Sequence, residues 1–313
     1  MQTLLTRSPE EAARFIREGK LAAFPTETVY GLGADVLNAD AVAKIFVAKK
    51  RPADNPLIVH IRFSEQIELL AESVTENARK FVDAFFPGPL TIVLKKTAAV
   101  PLIATAGLDT VAVRMPAGDL ARQLLEFSGT PIAAPSANLS GRPSPTTWQS
   151  VLEDLDGRID CILQGGPTSI GLESTVVECT SVIPTILRSG SVSLEQLRAI
   201  VPETQSYSST TGDSRRSPGM LHRHYSPIAK VRLAEQEEEI EIRGPSGFIG
   251  LRPPAKEFVL VRKCESVEEY ARSLFEFFRE CDRAGVEVIY CETVSDDGIG
   301  RALMDRINRA AAR

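Results

Sequence analysis

The chain has 313 residues, with 36 Lys and Arg against 41 Asp and Glu, a formal net charge of −5 and 43% hydrophobic residues. This composition excludes a disordered, collagenous or fibrous chain, and at about 100–200 residues per domain the length favours two domains over one small one. Divided at residue 203, neither part is basic, so the molecule lacks the global footprint of a nucleic-acid binder and any anion site must be local.

No stretch approaches the roughly 18 consecutive apolar residues of a spanning helix, and the first residues lack a charged leader followed by an apolar region. A cytoplasmic protein without membrane contact is expected. The five cysteines, Cys161, Cys179, Cys264, Cys281 and Cys291, show no C-x-x-C spacing, which fits reduced thiols better than a disulfide framework. With only His60, His222 and His224 available, a structural zinc site is not expected either.

From residue 21 onward, short apolar runs alternate with turns and helical periods, the pattern of a mixed α/β domain. Strands are predicted at 21–24, 57–61, 90–95, 111–115, 131–134, 159–163, 174–179 and 185–188. Between them, 40–50 reads as a helix with Val42, Ile45 and Phe46 on one face, and Ser64 and Thr75 are plausible N-caps of the next two helices. Further helices are predicted at 118–127 and near 146–155.

Residues 204–229 are rich in Ser, Thr, Gly and Pro and read as a linker, although Met220, Tyr225, two histidines and three arginines give it more recognition chemistry than a tether needs. Strands at 247–251, 258–262 and 286–291 and helices at 266–284 and 299–312 then form a second, smaller α/β unit. Its stripe of Tyr270, Leu274, Phe277, Phe278 and Cys281 reads as core. The acidic run at 235–241 reads as a solvated face.

The sequence contains no G-x-x-x-x-G-K-[ST] loop and no third glycine at Rossmann spacing after Gly31 and Gly33, so a nucleotide would have to be held by cations and backbone donors on another scaffold. Four loops beside predicted strand ends carry such groups. Pro25–Gly33 offers threonine hydroxyls and glycines, or is simply a capped turn. Lys49, Arg51 and Asn55 lie in a proline-stiffened loop that suits phosphate, or are partners of a helix dipole, while His60 on the next strand is by default a core histidine. Arg114, alternating with Val113 and Met115, needs either an anionic ligand or a structural carboxylate. Residues 135–146 place Ser136, Asn138, Arg142 and Ser144 before a helix N-terminus, a setting that favours anions. Glu173-Ser174-Thr175 and Arg188-Ser189-Gly190 add hydroxyls and another cation. No Ser-His-Asp order, metal-binding histidine pair or carboxylate dyad emerges, which favours positioning and charge neutralisation over covalent catalysis.

The segments PTETVYGLG, KKRPADNPLIVHI, FPGPLT, TAGLDTVAVRMP, AAPSANLSG and ESTVV, in this order, resemble the YrdC-like family of threonylcarbamoyl-AMP synthases, and SPGMLHRHYSP with the following α/β unit resembles its long, two-domain form. The resemblance implies a YrdC-like twisted mixed sheet flanked by helices over 1–203, a linker or active-site lid over 204–229, and a small Rossmann-like α/β domain over 230–313. It implies synthesis of L-threonylcarbamoyl-AMP from L-threonine, bicarbonate and ATP, with Mg2+ accompanying the nucleotide and no protein-bound metal. The product would pass to the tRNA threonylcarbamoyl-transfer machinery, with weak tRNA binding possible. By the same resemblance Lys49, Arg51, Ser136 and Asn138 are the catalytic K-x-R and S-x-N residues. Thr28, His60, Arg114, Ala134 and Ser174 fall on threonine-contacting positions, and Arg51, Asn55, Thr110, Ser136, Ser144, Arg188 and Tyr225 on nucleotide-contacting ones. Met220, His224 and Tyr225 are expected to close the site against water. Ser189 stands where the family usually has proline, and Leu221-His222 replaces a more usual Lys-Tyr pair. Carbamoyl transfer through carbamoyl-AMP and an RNA-binding module are the alternative readings.

Overall fold

In the computed structural model, which describes residues 2–206, 225–234 and 241–312, the apolar runs pair into two sheets. The first part of the chain runs β1 (Leu4–Thr6), α1 (Pro9–Arg17), β2 (Ala22–Phe24), β3 (Gly31–Asp35), α2 (Ala39–Lys49) and β4 (Ile58–His60). It continues through α3 (Ile67–Leu70), α4 (Glu76–Phe85), β5 (Leu90–Lys95), β6 (Thr110–Arg114), α5 (Asp119–Ser128) and β7 (Ile132–Ala133). Next come α6 (Trp148–Leu155), β8 (Cys161–Leu163), β9 (Thr175–Glu178), β10 (Thr185–Arg188), α7 (Leu194–Ile200) and β11 (Gln205–Ser206). The smaller unit comprises β12 (Lys230–Ala234), β13 (Ser246–Gly250), β14 (Leu260–Lys263), α8 (Val267–Arg283), β15 (Val288–Glu292) and α9 (Gly298–Ala311).

The large sheet is mixed and has the order β1-β8-β2-β3-β7-β4-β6-β5-β9-β10-β11. The small sheet, β12-β15-β13-β14, is parallel throughout. All of the strands predicted for the first domain form. Two expectations change. Part of the Pro25–Gly33 loop is strand, because Gly31 and Gly33 pair with Phe24 and Ala22 in a β2–β3 hairpin whose tight packing leaves no room for a side chain: a Cβ on Gly33 would stand 2.8 Å from Ile132 Cγ2. Ser64 opens a short 3-10 turn rather than capping a helix, whereas the Thr75 hydroxyl does accept from the Ala78 N–H at 3.2 Å.

The start of the linker also belongs to the sheet, as Gln205–Ser206 pair in parallel with β10. Of the expected lid, only Tyr225 and the residues after it are described; Met220, His222 and His224 lie outside the described residues, as does the run 235–240. All five cysteines are buried and free. Among the described residues no helix is long and apolar enough to cross a membrane.

Register decides what the sheet presents. In the parallel β4–β6 pair His60 stands opposite Arg114, and in the antiparallel β4–β7 pair it stands opposite Ile132. An isolated bridge sets Gly31 against Ser136. Three segments far apart in the chain therefore end side by side.

The Arg188-Ser189-Gly190 corner is closed by contact with the start of β9. A Cβ on Gly190 would stand 2.2 Å from Thr175 N and 2.6 Å from Glu173 O, both backbone atoms that have no room to yield. Gly190→Ala should therefore destabilise the fold by about 1–3 kcal/mol. Gly166→Ala, where a Cβ meets nothing within 4 Å, should leave the urea midpoint nearly unchanged. Equal midpoints for the two variants would contradict this account.

Candidate active site

The ends of β4 and β6 and the loops after β2, α2 and β7 enclose a cavity of about 70 Å³, lined among others by Thr28, Arg51, His60, Arg114, Ala134, Ser136, Asn138, Ser144, Ser174, Arg188 and Tyr225. Eleven of the fourteen site residues expected from the resemblance thus share one hollow. Its lining also includes Arg142 and Glu173.

Arg114 projects from the last residue of β6 and is nearly fully buried. Of the two partners the sequence left open, the structure supplies the carboxylate: Nη2 bonds Glu27 at 2.7 Å, while Nη1 donates to Thr28 Oγ1 at 2.8 Å and Nε to Gly88 O at 3.2 Å. Burial, the largest influence, would raise the Glu27 pKa, but the charge and hydrogen bond of Arg114 together with backbone N–H groups hold the carboxyl below its usual range. Hydroxyl direction follows from proton counting. Thr26 donates to Val29 O at 2.7 Å, so Thr28 is the donor in its 2.9 Å contact with Thr26, and it receives Arg114.

His60 is 4% exposed, lies edge-on to Phe24, and leaves Nδ1 without a hydrogen-bond partner. Burial first, and then the Arg114 charge, push its pKa down to about 3. At neutral pH it is an uncharged imidazole, and it lines the cavity. Arg51 is braced by the carbonyls of Asn55 (3.2 Å) and Pro56 (3.0 Å), and burial, with Arg188 adding to it, lowers its pKa to about 10. Arg188 donates from Nε and Nη2 to Ser174 O at 3.1 and 3.0 Å and reaches Ser174 Oγ at 3.2 Å. It holds this place although Ser189 replaces the usual proline.

Three expected contacts do not line the cavity. Lys49 is almost wholly buried and turns its ammonium onto the carbonyls of Ser136 and Asn138, beneath the loop. The reason is helical phase, since Lys49 follows Val42, Ile45 and Phe46 on the buried face of α2. Asn55 is buried, with its carbonyl turned to Arg51. Thr110 starts β6, about 13 Å along an extended strand from Arg114, in a separate depression with Lys95, Asp109 and Glu178. Asn138 does line the cavity, but it also staples its loop, accepting from Ser136 Oγ at 2.6 Å and donating to Leu139 O and Arg142 O at 2.8 Å each.

The smaller domain reaches the site through two buried arginines that the sequence reading missed. Arg306 of α9 donates to Glu173 Oε2 and to Ser189 O, both at 2.9 Å, and stands 5.2 Å from the Tyr225 ring centre. Glu173 in turn accepts the Ser144 hydroxyl. Tyr225, at a left-handed φ of 65°, stacks on Phe275 of α8 with ring centres 5.4 Å apart. Arg279 of α8 pairs with Asp154 Oδ2 at 2.9 Å and donates to Pro143 O at 2.6 Å. A signal for both existed in the sequence: Arg306 falls on the face of α9 that carries Ala302, Leu303 and Ala310, and Arg279 follows Phe275 by one turn.

The carboxylate of the cavity lining, Glu173, is held by Arg306 and Ser144, and Glu27 behind it by Arg114. Among the described residues no cluster of His, Cys, Asp or Glu side chains could hold a metal ion. Fold and site together define an α/β protein that draws cations and oriented hydroxyls round one hollow.

Residues 14–190 match the family model described as telomere recombination, and residues 192–312 match the one described as threonylcarbamoyl-AMP synthase, C-terminal domain. The chain is 48% identical to the threonylcarbamoyl-AMP synthase of Pyrococcus abyssi, over 96% of this chain and 93% of that protein. It is 42% identical to that of Bacillus subtilis, over 98% and 94% of the two chains. The crystal structure of P. abyssi Sua5 complexed with L-threonine is similar with a TM-score of 0.91 and 45% identity, covering 99% of this chain and 97% of that one. The protein belongs to the threonylcarbamoyl-AMP synthase family, in its two-domain form.

Glu173 supplies a test of the link between domains. Burial would raise its pKa, but Arg306 and Arg188 hold it below the usual range. A lowered folded value means that the pair contributes fully above the unfolded value of about 4.3 and is lost as pH falls through the folded value. Glu173→Gln should cost about 3–5 kcal/mol near neutral pH. The gap in thermal midpoint from wild type should close as pH drops below about 4.3; a gap that stays constant with pH would refute the pairing.

Proposed function

We propose that the protein is a nucleotidyltransferase that joins L-threonine, CO2 from bicarbonate, and ATP into L-threonylcarbamoyl-AMP and pyrophosphate. The product would feed threonylcarbamoyladenosine modification of tRNA by a transfer machinery in the cytoplasm, where buried thiols remain reduced. The observation that carries this reading is the single hollow shared by His60, Arg114 and Ser174 with Arg51, Ser136, Ser144 and Arg188. An amino acid and a polyphosphate held there would be in reach of each other. The names of the relatives favour synthesis over carbamoyl transfer or simple RNA binding.

The chemistry demands order. Threonine must lose its ammonium proton before its nitrogen can bond to CO2, and the resulting carbamate must attack the α-phosphorus before it decarboxylates. As that P–O bond forms, the bond to the β-phosphate breaks and pyrophosphate leaves. In this reading the neutral imidazole of His60 lies against the amine, and Arg114, fixed by Glu27 and Thr28, faces the threonine carboxylate. Arg51 and Arg188 oppose the charge that develops on the phosphates, and Tyr225, stacked on Phe275, helps keep water from the labile carbamate. Mg2+ would enter with ATP, carried on its phosphates, since Glu173 at the cavity is already held by Arg306 and Ser144.

Pyrophosphate release should require threonine and bicarbonate as well as ATP. Arg51→Ala should lower kcat by about 100-fold or more while leaving the thermal midpoint close to wild type. Threonine-independent release, or a normal rate in the folded variant, would contradict the assignment.

A further inference from the structure

The loop that carries Ser136 and Asn138 rests against a buried carboxylate and three basic side chains. Asp154, its side chain fully buried, accepts from Arg142 Nη1 at 2.6 Å, from Arg279 at 2.9 and 3.2 Å, and from the Leu139 N–H at 3.2 Å. Burial first, and then the Arg51 charge, push the pKa of neighbouring Lys49 well below its ordinary value, with Asp154 opposing them. Glu153 approaches Arg279 from the surface at 3.7 Å but bonds more closely to Arg283, at 2.9 Å. Asp154 thus answers two guanidinium groups directly, and Glu153 shares one of them.

These cations are not equivalent. Lys49 is spent on loop carbonyls below the cavity, and Arg279 on Asp154 and Pro143 O. Arg142 lines the cavity, bonds through its guanidinium to Asp154 alone among the described residues, and leaves 36% of its side chain exposed. Its backbone is fixed: Asn138 Nδ2 donates to Arg142 O, and the Ser226 N–H donates to Gly141 O at 2.9 Å. A rigidly presented guanidinium with unused N–H groups suits the oxygens of a diphosphate.

We propose that Arg142 grips the β- and γ-phosphates of ATP and the pyrophosphate that departs, and that Lys49 acts only by shaping the loop. The proposal rests on the function inferred above. When the bond between the α- and β-phosphates breaks, negative charge collects on the leaving oxygen, and Arg142 meets it at the outer end of the cavity.

The test is titration of wild type, Arg142→Ala, Arg142→Lys and Lys49→Met with pyrophosphate and, separately, with AMP, alongside initial rates. Arg142→Ala should weaken pyrophosphate binding and raise KM for ATP about tenfold or more, with AMP affinity and KM for threonine within about twofold of wild type. Arg142→Lys should recover part of the loss. Lys49→Met should weaken AMP and pyrophosphate together. Unchanged pyrophosphate affinity in Arg142→Ala, or an equal loss of AMP and pyrophosphate, would overturn the assignment. Because pyrophosphate binding is read directly, a wild type that made no threonylcarbamoyl-AMP would overturn the function, and the titration would still decide Arg142.

Discussion

Several guanidinium groups surround one small hollow, and a fixed counter-group meets each of Arg114, Arg188 and Arg142, the first two of them buried. Arg114 is answered by Glu27, Arg188 by the Ser174 carbonyl with Glu173 close by, and Arg142 by Asp154. An unpaired buried guanidinium would destabilise the fold by several kcal/mol. The counter-groups are therefore conditions for the site's existence, and they hold the cations still while leaving some of their N–H groups directed inward.

The requirement extends into the second domain. Glu173 and Asp154, already met by groups of the first domain, each also receive an arginine from a helix of the smaller unit, Arg306 from α9 and Arg279 from α8. Both arginines also donate to loop carbonyls beside the cavity, at Ser189 and Pro143. The small α/β unit thus works as a clamp on two loops of the site, and Tyr225 is seated between its Phe275 and Arg306.

Within the cavity the same economy of protons fixes polarity. Thr26 and Thr28 each have one hydroxyl proton, and both are spent within the chain that ends at the Val29 carbonyl, so Thr28 faces a ligand only as an acceptor. His60 is kept neutral by burial and by Arg114, so an acceptor hydroxyl and an uncharged imidazole lie beside the Arg114 guanidinium.

Local chemistry made much of this legible from the sequence. Apolar runs such as 57–61 and 90–95 become strands because burial on a sheet rewards them wherever they fall, and the proline-bracketed and glycine-bearing loops mark their ends. The ordered motifs from PTETVYGLG to ESTVV were enough to indicate the family and most of the lining residues. Only the tertiary structure decided which cation faces the hollow. Lys49 and Arg142 look alike as basic loop residues, but the phase of α2 turns the first under its loop, while Gly141 and Asn138 hold the second at the cavity wall. The partners of Asp154 and Glu173 were likewise hidden, because Arg279 and Arg306 lie 125 and 133 residues away along the chain. Pairing over such distances depends on how two domains pack, a property that no local spacing encodes.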